Sequence, residues 1–228
     1  MWNGKNKAIT FSFDDGVTQD VRLVEILNRY GLKCTFNLNS GYMGVAATAP
    51  DAAGRWHHRL TAAECKDLYA GHEVAVHTVT HPTLVGLPEE KIVWEVEEDR
   101  KTLEKLFGYP IVGMAYPNGP NDDRVAGIIR AHTPICYSRT VTSTYSFELQ
   151  KDSLLRFNPT LHLSNESAEE VIDRFLALET DRPQLLYIWG HSYEMDNSPV
   201  SWGKFETICQ KLSGKEDIFY GTNKEVLL

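Results

Sequence analysis

No apolar stretch in this 228-residue chain approaches the ~18 consecutive residues that a membrane-spanning helix needs. The opening residues, Met-Trp-Asn-Gly-Lys-Asn-Lys, lack the apolar run of a secretory leader. As written, the chain is expected to be soluble and cytoplasmic, with export left open should a preceding segment have been removed. A basic excess is also missing. Lys and Arg number 23 against 31 Asp and Glu, a net charge of −8, which is the wrong sign for gripping phosphate backbones, so no nucleic acid partner and no membrane partner is expected. Cysteine is scarce and scattered: Cys34, Cys65, Cys136 and Cys209 form no CxxC pair. That excludes a zinc ribbon or a disulfide framework and predicts reduced, mostly buried thiols. There is no internal repeat, low-complexity tract or Pro/Ser-rich linker, so residues 1–228 read as one domain.

What is present is an ordinary folding composition, 42% hydrophobic and 24% charged. Short β-branched or apolar runs alternate with segments of helical period, the pattern of parallel strands joined by crossover helices. Strands are predicted over 8–14, 33–39, 73–77, 111–116, 134–139, 155–158 and 184–189, with an eighth at 217–220. Helices are predicted over 20–30, 61–70, 88–107, 122–131, 168–179 and 200–212. Gly31, Gly71 and Gly108 stop the first three, and Thr61-x-x-Glu64 is a capping box for the second. The stretches 40–59 and 140–154 are too long for plain connections and read as loops decorating one end.

Side-chain parity adds more. In the first strand Ile9, Phe11 and Phe13 share one face, and Thr10, Ser12 and Asp14 the other. In the third, Val74 and Val76 oppose Ala75 and His77; in the seventh, Tyr187, Trp189 and His191 align. Ionisable residues thus arrive at strand C-termini, where α/β barrels assemble their sites. Phe13-Asp14-Asp15-Gly16 puts two carboxylates at one such end, although a plain turn also explains Asp-Gly. His77-Thr78-Val79-Thr80-His81-Pro82 spaces two imidazoles four apart, able to face one side of a helical turn and share a metal ion. Thr78 stands where a His-Glu-x-x-His protease carries its base, so any base comes from elsewhere. Two imidazoles and a carboxylate with open positions make a catalytic rather than a structural metal site.

These two motifs, in this order and separation, resemble those of the polysaccharide deacetylases, the NodB-homology enzymes of carbohydrate esterase family 4. The resemblance runs from about Lys7 to His191 and implies a distorted (β/α)-barrel of about seven strands, short of the regular eight. It implies Asp14 as general base and Asp15, His77 and His81 as ligands of one divalent metal, zinc being the expectation. Ala115-Tyr116-Pro117-Asn118-Gly119 is similar to the family's Arg-x-Pro-Tyr-Gly. Here Ala115 replaces the arginine that would pair with the base, and Arg139 or Arg156 is the candidate replacement. Asn118 replaces the tyrosine whose backbone N–H holds the oxyanion, a role a backbone donor can keep. Trp189-Gly190-His191 resembles the family's Leu-x-His, making His191 the general acid, with Glu194 or Asp196 as its acidic partner. Tyr116, Pro117 and Trp189 are the expected substrate contacts, with Trp202 a further aromatic. His57, His58, His72, His132 and His162 are expected to be structural or surface residues. The reading is a metal-dependent deacetylase of an N-acetylated sugar or oligosaccharide. The alternatives are an O-acetyl carbohydrate esterase, hydrolysis of another C–N bond, or a carbohydrate-binding protein with a degenerate site.

Overall fold

A computed structural model describes residues 2–197 and 200–228. Its strands are β1 (Lys7–Asp14), β2 (Cys34–Leu38), β3 (Glu73–Val76), β4 (Gly113–Ala115), β5 (Tyr137–Arg139), β6 (Leu161–His162), β7 (Gln184–Gly190) and β8 (Ile218–Tyr220). The helices are α1 (Asp20–Arg29), α2 (Ala62–Leu68), α3 (Glu89–Phe107), α4 (Asp123–His132), α5 (Ala168–Ala177), α6 (Trp202–Leu212) and α7 (Asn223–Leu227). Every ladder is parallel, in the order β5-β4-β3-β2-β1-β7-β6, with β8 beside the first residues of β1. The free edges meet through one residue: Phe157 donates its N–H to Ser138 O and accepts from Thr140 N, both at 2.9 Å. The sheet curls into a distorted (β/α)-barrel whose closure is a single bridge between Arg139 and Phe157.

The strand expected at 155–158 is not there. Residues Lys151–Arg156 form a 3-10 turn, and the chain joins β7 only at Leu161–His162. Pro159 lies between and has no N–H to give a ladder. The short helix α7 was not anticipated, although Thr222-x-x-Glu225 caps it with the same box that Thr61 and Glu64 form before α2. Cys34, Cys65 and Cys209 are buried and Cys136 is exposed, all four free. Among the described residues no helix is long and apolar enough to cross a membrane.

Strand parity divides the core. Ile9, Phe11, Phe13, Val74, Val76, Leu186 and Ile188 point outward and pack with the helices in the main apolar cluster. The lumen is different. Trp2, Ala8, Leu185 and Val226 plug its lower end with a small apolar group. Above them α7 inserts its first residues: Asn223 accepts from Thr10 Oγ1 (2.9 Å), and its backbone N donates to Thr35 Oγ1 (2.8 Å). Glu73 accepts from Thr35, Tyr137 and Lys224 N, each at 2.8 Å. The chain continues upward from Asn223 to Ser12, Asn37 and Asp14. Gly113 is required here, since a Cβ would lie 2.0 Å from the Tyr137 hydroxyl.

A buried donor or acceptor left alone costs about 1–3 kcal/mol. Asn223→Ala strands the Thr10 hydroxyl and leaves Ser12 with Asn37 as its donor, so urea unfolding should show a stability loss of that size with an unchanged slope; an unchanged midpoint would mean that the network adds nothing.

Candidate active site

The motif residues converge where the strands end. Asp14 closes β1 and is 2% exposed. Asn37, its register partner on β2, donates to its Oδ1 at 2.8 Å. From the other side of the lumen Arg139 sends Nη2 to both oxygens, at 2.6 and 2.5 Å. Of the two candidate arginines the structure selects Arg139. Arg156 instead reaches Asn121 (2.8 Å) and Asp123 (2.5 Å) across a separate cleft of about 780 Å³. Arg139 is fully buried, and its guanidinium lies 4.3 Å from the centre of the Trp189 ring. Burial alone would push the Asp14 carboxyl up; Arg139 outweighs it, helped by His77 and His191, and holds it below the usual carboxylate range.

Asp15, His77 and His81 present one ligand atom each, all within 4.8 Å of one another. The two Nε2 atoms face each other at 3.1 Å, and Asp15 Oδ1 lies 3.7 Å from His81 Nε2. His77 Nδ1 is 2.9 Å from Ala115 O, a bond that puts its proton on Nδ1 and frees Nε2. The segment is not the helical turn its spacing suggested: Thr78 and His81 sit at φ 68° and 55°. Asp15 (φ 88°) and Asn118 (φ 60°) are left-handed as well, so four of the seven non-glycine residues with positive φ among those described belong to the three motifs. Burial lowers the pKa of His77 to about 4 and lowers that of His81; for Asp15 burial works against the charge, but Arg59 together with His191, His77 and His81 outweighs it and lowers its pKa. At neutral pH the set is one carboxylate and two neutral imidazoles. Asp15 Oδ1 is buried without an aligned hydrogen bond, although Arg59 Nη1 is 3.0 Å away in ion-pair contact. An orphaned oxygen facing two imidazole nitrogens fits a divalent metal ion.

Residues outside the motifs hold this turn. Glu95 and Asp99, both fully buried on α3, clamp it from outside. Glu95 accepts from Thr80 N (2.9 Å) and Thr80 Oγ1 (2.6 Å); Asp99 accepts from His77 N (3.0 Å) and Ser40 N (2.7 Å). Arg59, at the end of the long loop, donates to Asp15 O, and the neighbouring backbone pairs with Gly16 and Thr18. Sequence reasoning passed over all three. The signal for two of them was there: Glu95 and Asp99 fall on the α3 stripe of Ile92, Val96 and Leu103.

His191 follows β7 with Nε2 3.9 Å from Asp14 Oδ2. Its acidic partner is Glu194, whose Oε1 lies 3.3 Å from Nδ1, at ion-pair distance but out of line for a hydrogen bond. Asp196 is spent on Trp202 Nε1 (2.8 Å) and Gln19 (2.9 Å). Burial disfavours the imidazolium, but Glu194, with Asp14 and Asp15, outweighs it and raises the His191 pKa. Of the expected substrate contacts, Tyr116 needs correction. Tyr116 is 1% exposed in the main core and donates its hydroxyl to Leu155 O, because its side chain points out of the lumen. Pro117 is buried, and Trp189 is 7% exposed beneath Arg139 and His162. Asn118 is exposed, its side chain directed at Thr83 Oγ1 (3.2 Å). His162, expected to be structural or surface, meets Glu194 at 3.2 Å.

Fold and donor set together define a parallel α/β barrel with a metal-type site at its strand C-termini. The chain belongs to the polysaccharide deacetylase family, whose profile matches residues 3–133. A curated Bacillus subtilis protein, YxkH, provisionally described as a polysaccharide deacetylase, is 26% identical over 116 residues. That match takes in 50% of this chain and 37% of the relative, so the chain aligns with well under half of that protein's length. The fold is shared with a family 4 acetyl xylan esterase from Clostridium thermocellum bearing a cobalt ion, at TM-score 0.61 and 15% identity over 96% of this chain and 90% of that one. It is shared too with a family 4 pseudoenzyme from Bacillus anthracis, at TM-score 0.57 and 15% identity over 98% and 66%.

Removing one member of a buried ion pair typically costs about 3–5 kcal/mol. Arg139→Met should lose that much at pH 7 by urea unfolding. With the strongest opposing charge gone, burial then raises the Asp14 pKa against His77 and His191 alone, so the loss should shrink as the pH falls through that raised value and the carboxyl becomes neutral. An equal loss at pH 7 and pH 4.5 would refute the pairing.

Proposed function

We propose that the chain is a metal-dependent hydrolase that removes acetyl groups from a saccharide, with the N-acetyl amide as the favoured bond. The observation that carries this reading is a carboxylate paired with Arg139 facing, across 3.9 Å, an imidazole whose protonated form Glu194 favours, with three ligand atoms beside them. A base and an acid set apart in this way suit hydrolysis of a bond whose leaving group needs a proton. An amine leaves only when protonated, whereas an alkoxide leaves more readily, so a resident acid favours the amide over the ester.

Asp15, His77 and His81 would hold the ion, which supplies polarisation of the acetyl carbonyl and acidification of water. Asp14 takes the proton of the attacking water; its lowered pKa keeps it ionised through the neutral range. The Asn118 backbone N–H, in a left-handed conformation that asparagine tolerates, is the candidate donor to the developing oxyanion. His191 returns a proton to the departing nitrogen. Pro117 and the Trp189 edge are the candidate floor for the acyl group, and the exposed Trp56, stacked on His58, is the open aromatic surface nearest in sequence to Arg59. A degenerate binding site is the second reading, since a structural neighbour is a pseudoenzyme. Arg139 counts against it, because the guanidinium absent at residue 115 is present in space.

Asp14→Asn and His191→Ala should each lower acetate release by ~10²-fold or more while one zinc ion per chain is retained; His81→Ala should lose metal and turnover together. Full turnover in Asp14→Asn would remove the assignment. Chelation should abolish acetate release, and zinc or cobalt should restore it. Activity requires protonated His191 and so falls as pH rises through its raised pKa; Glu194→Gln should move that alkaline limb to lower pH, and an unmoved limb would exclude Glu194 as its cause.

A further inference from the structure

His162 ends β6, the irregular strand that closes the barrel, and takes no part in the scheme above. Its ring stands edge-on to Trp189 with centroids 4.4 Å apart. The Ser164 backbone N–H donates to its Nδ1 at 3.2 Å. A ring nitrogen that accepts carries no proton, so the neutral ring has its proton on Nε2. That Nε2 lies 3.2 Å from Glu194 Oε2. The same oxygen accepts the His191 backbone N–H at 3.2 Å, while Oε1 faces His191 Nδ1 at 3.3 Å. Glu194 thus has one oxygen tied twice, and that leaves the other for the proton donor.

The cluster also has the look of a cation cage, since ligand atoms of His162, His191 and Glu194 lie within 4.8 Å of one another. The tautomer argues against it. A metal at His162 Nε2 would displace the proton that the Ser164 contact places there.

We propose that His162 is a positioning residue for His191, acting through Glu194: it locks the carboxylate's rotation so that Oε1 stays on His191 Nδ1 and His191 Nε2 stays turned toward Asp14. Glu194 is 16% exposed on its side chain, and without the His162 donor its Oε2 is held by the His191 N–H alone, beside solvent. The inference rests on the deacetylase reading for its kinetic consequence, but not for its geometry. The charged and titratable groups facing His191 are Asp14 and Asp15 from the β1 end, His81 from the β3 turn, His162 from β6 with ring centroids 6.3 Å apart, and Glu194 from its own turn. Tyr193 stacks on it at 5.0 Å, with His57 stacked behind at 3.8 Å. Arg139 lies across Asp14. Of the groups around Glu194, burial first works against its charge, and His162 and then His191 favour it, lowering its pKa.

Two variants test this. His162→Phe keeps a ring beside Trp189 and removes the donor; His162→Gln keeps an N–H donor and removes the ring. The expected result for His162→Phe is a kcat lowered roughly tenfold or more with KM changed little, within the range that a general acid contributes. The His191 ring, followed by NMR titration of the intact chain, should ionise at lower pH than in the wild type, and His162→Gln should recover most of both. A wild-type His191 titration in His162→Phe, or a glutamine variant as impaired as the phenylalanine one, would overturn the assignment. So would a zinc titration giving two ions per chain, the second lost in His162→Phe. Absence of acetate release by the wild type on any substrate would sink the deacetylase reading, while the ring titration, which needs no substrate, still decides the role of His162.

Discussion

The site depends on a guanidinium and a carboxylate meeting inside the barrel. Arg139 is fully buried and Asp14 nearly so, and neither charge is tolerable there without the other. The pair spans the lumen from β5 to β1, which requires that the side chains between be small or polar. Gly113 and Ala115 on β4 supply the first condition; Ser12, Asn37 and Tyr187 supply the second. It also requires that the lumen be hydrogen-bonded from below, where Glu73 and Asn223 tie β2, β3, β5 and α7 together. A barrel filled with aliphatic layers would be easier to pack but would offer Asp14 no partner. The usual division of labour is reversed here. Apolar packing lies outside the sheet, under the helices, and the lumen carries the polar network that ends in the site.

The metal-type turn rests on a different support. Its residues adopt left-handed conformations that L side chains resist, and such strain persists only where neighbours over-determine the backbone. Glu95 and Asp99 do this from α3. Asp99 has its pKa raised to about 7 by burial, against its bonds from Ser40 and His77. The long loop adds Gly41, whose Cβ would come within 2.4 Å of Val79 O, and Arg59 on the Asp15 carbonyl. The loop is thus part of the site's frame as well as its decoration.

Family membership and the altered third motif are reconciled by geometry. The chemistry asks for a positive charge against Asp14 and does not ask which strand carries it. Residue 115 faces residue 139 in the β4–β5 register, so a guanidinium carried by either strand meets Asp14 from nearly the same height. The exchange leaves Ala115 with a backbone task, accepting from His77 Nδ1.

Much of this was legible in the chain. Strand parity gave the inward set Thr10, Ser12, Asp14, Ala75 and His77, because alternation is a local property of extended backbone. Capping boxes and terminal glycines gave the helix ends for the same reason. The motifs named Asp14, Asp15, His77, His81 and His191 because adjacent residues at a strand end stay adjacent when folded. What the sequence alone could not reveal was every partnership across the lumen or between layers. It allowed Arg139 or Arg156, and Glu194 or Asp196, equally; it made Tyr116 a substrate contact and His162 a bystander. Those choices depend on which strands are neighbours, at what register, and which side of the sheet a residue faces at closure. Only the tertiary structure decided them, because the energies that do so come from contacts between residues distant in the chain.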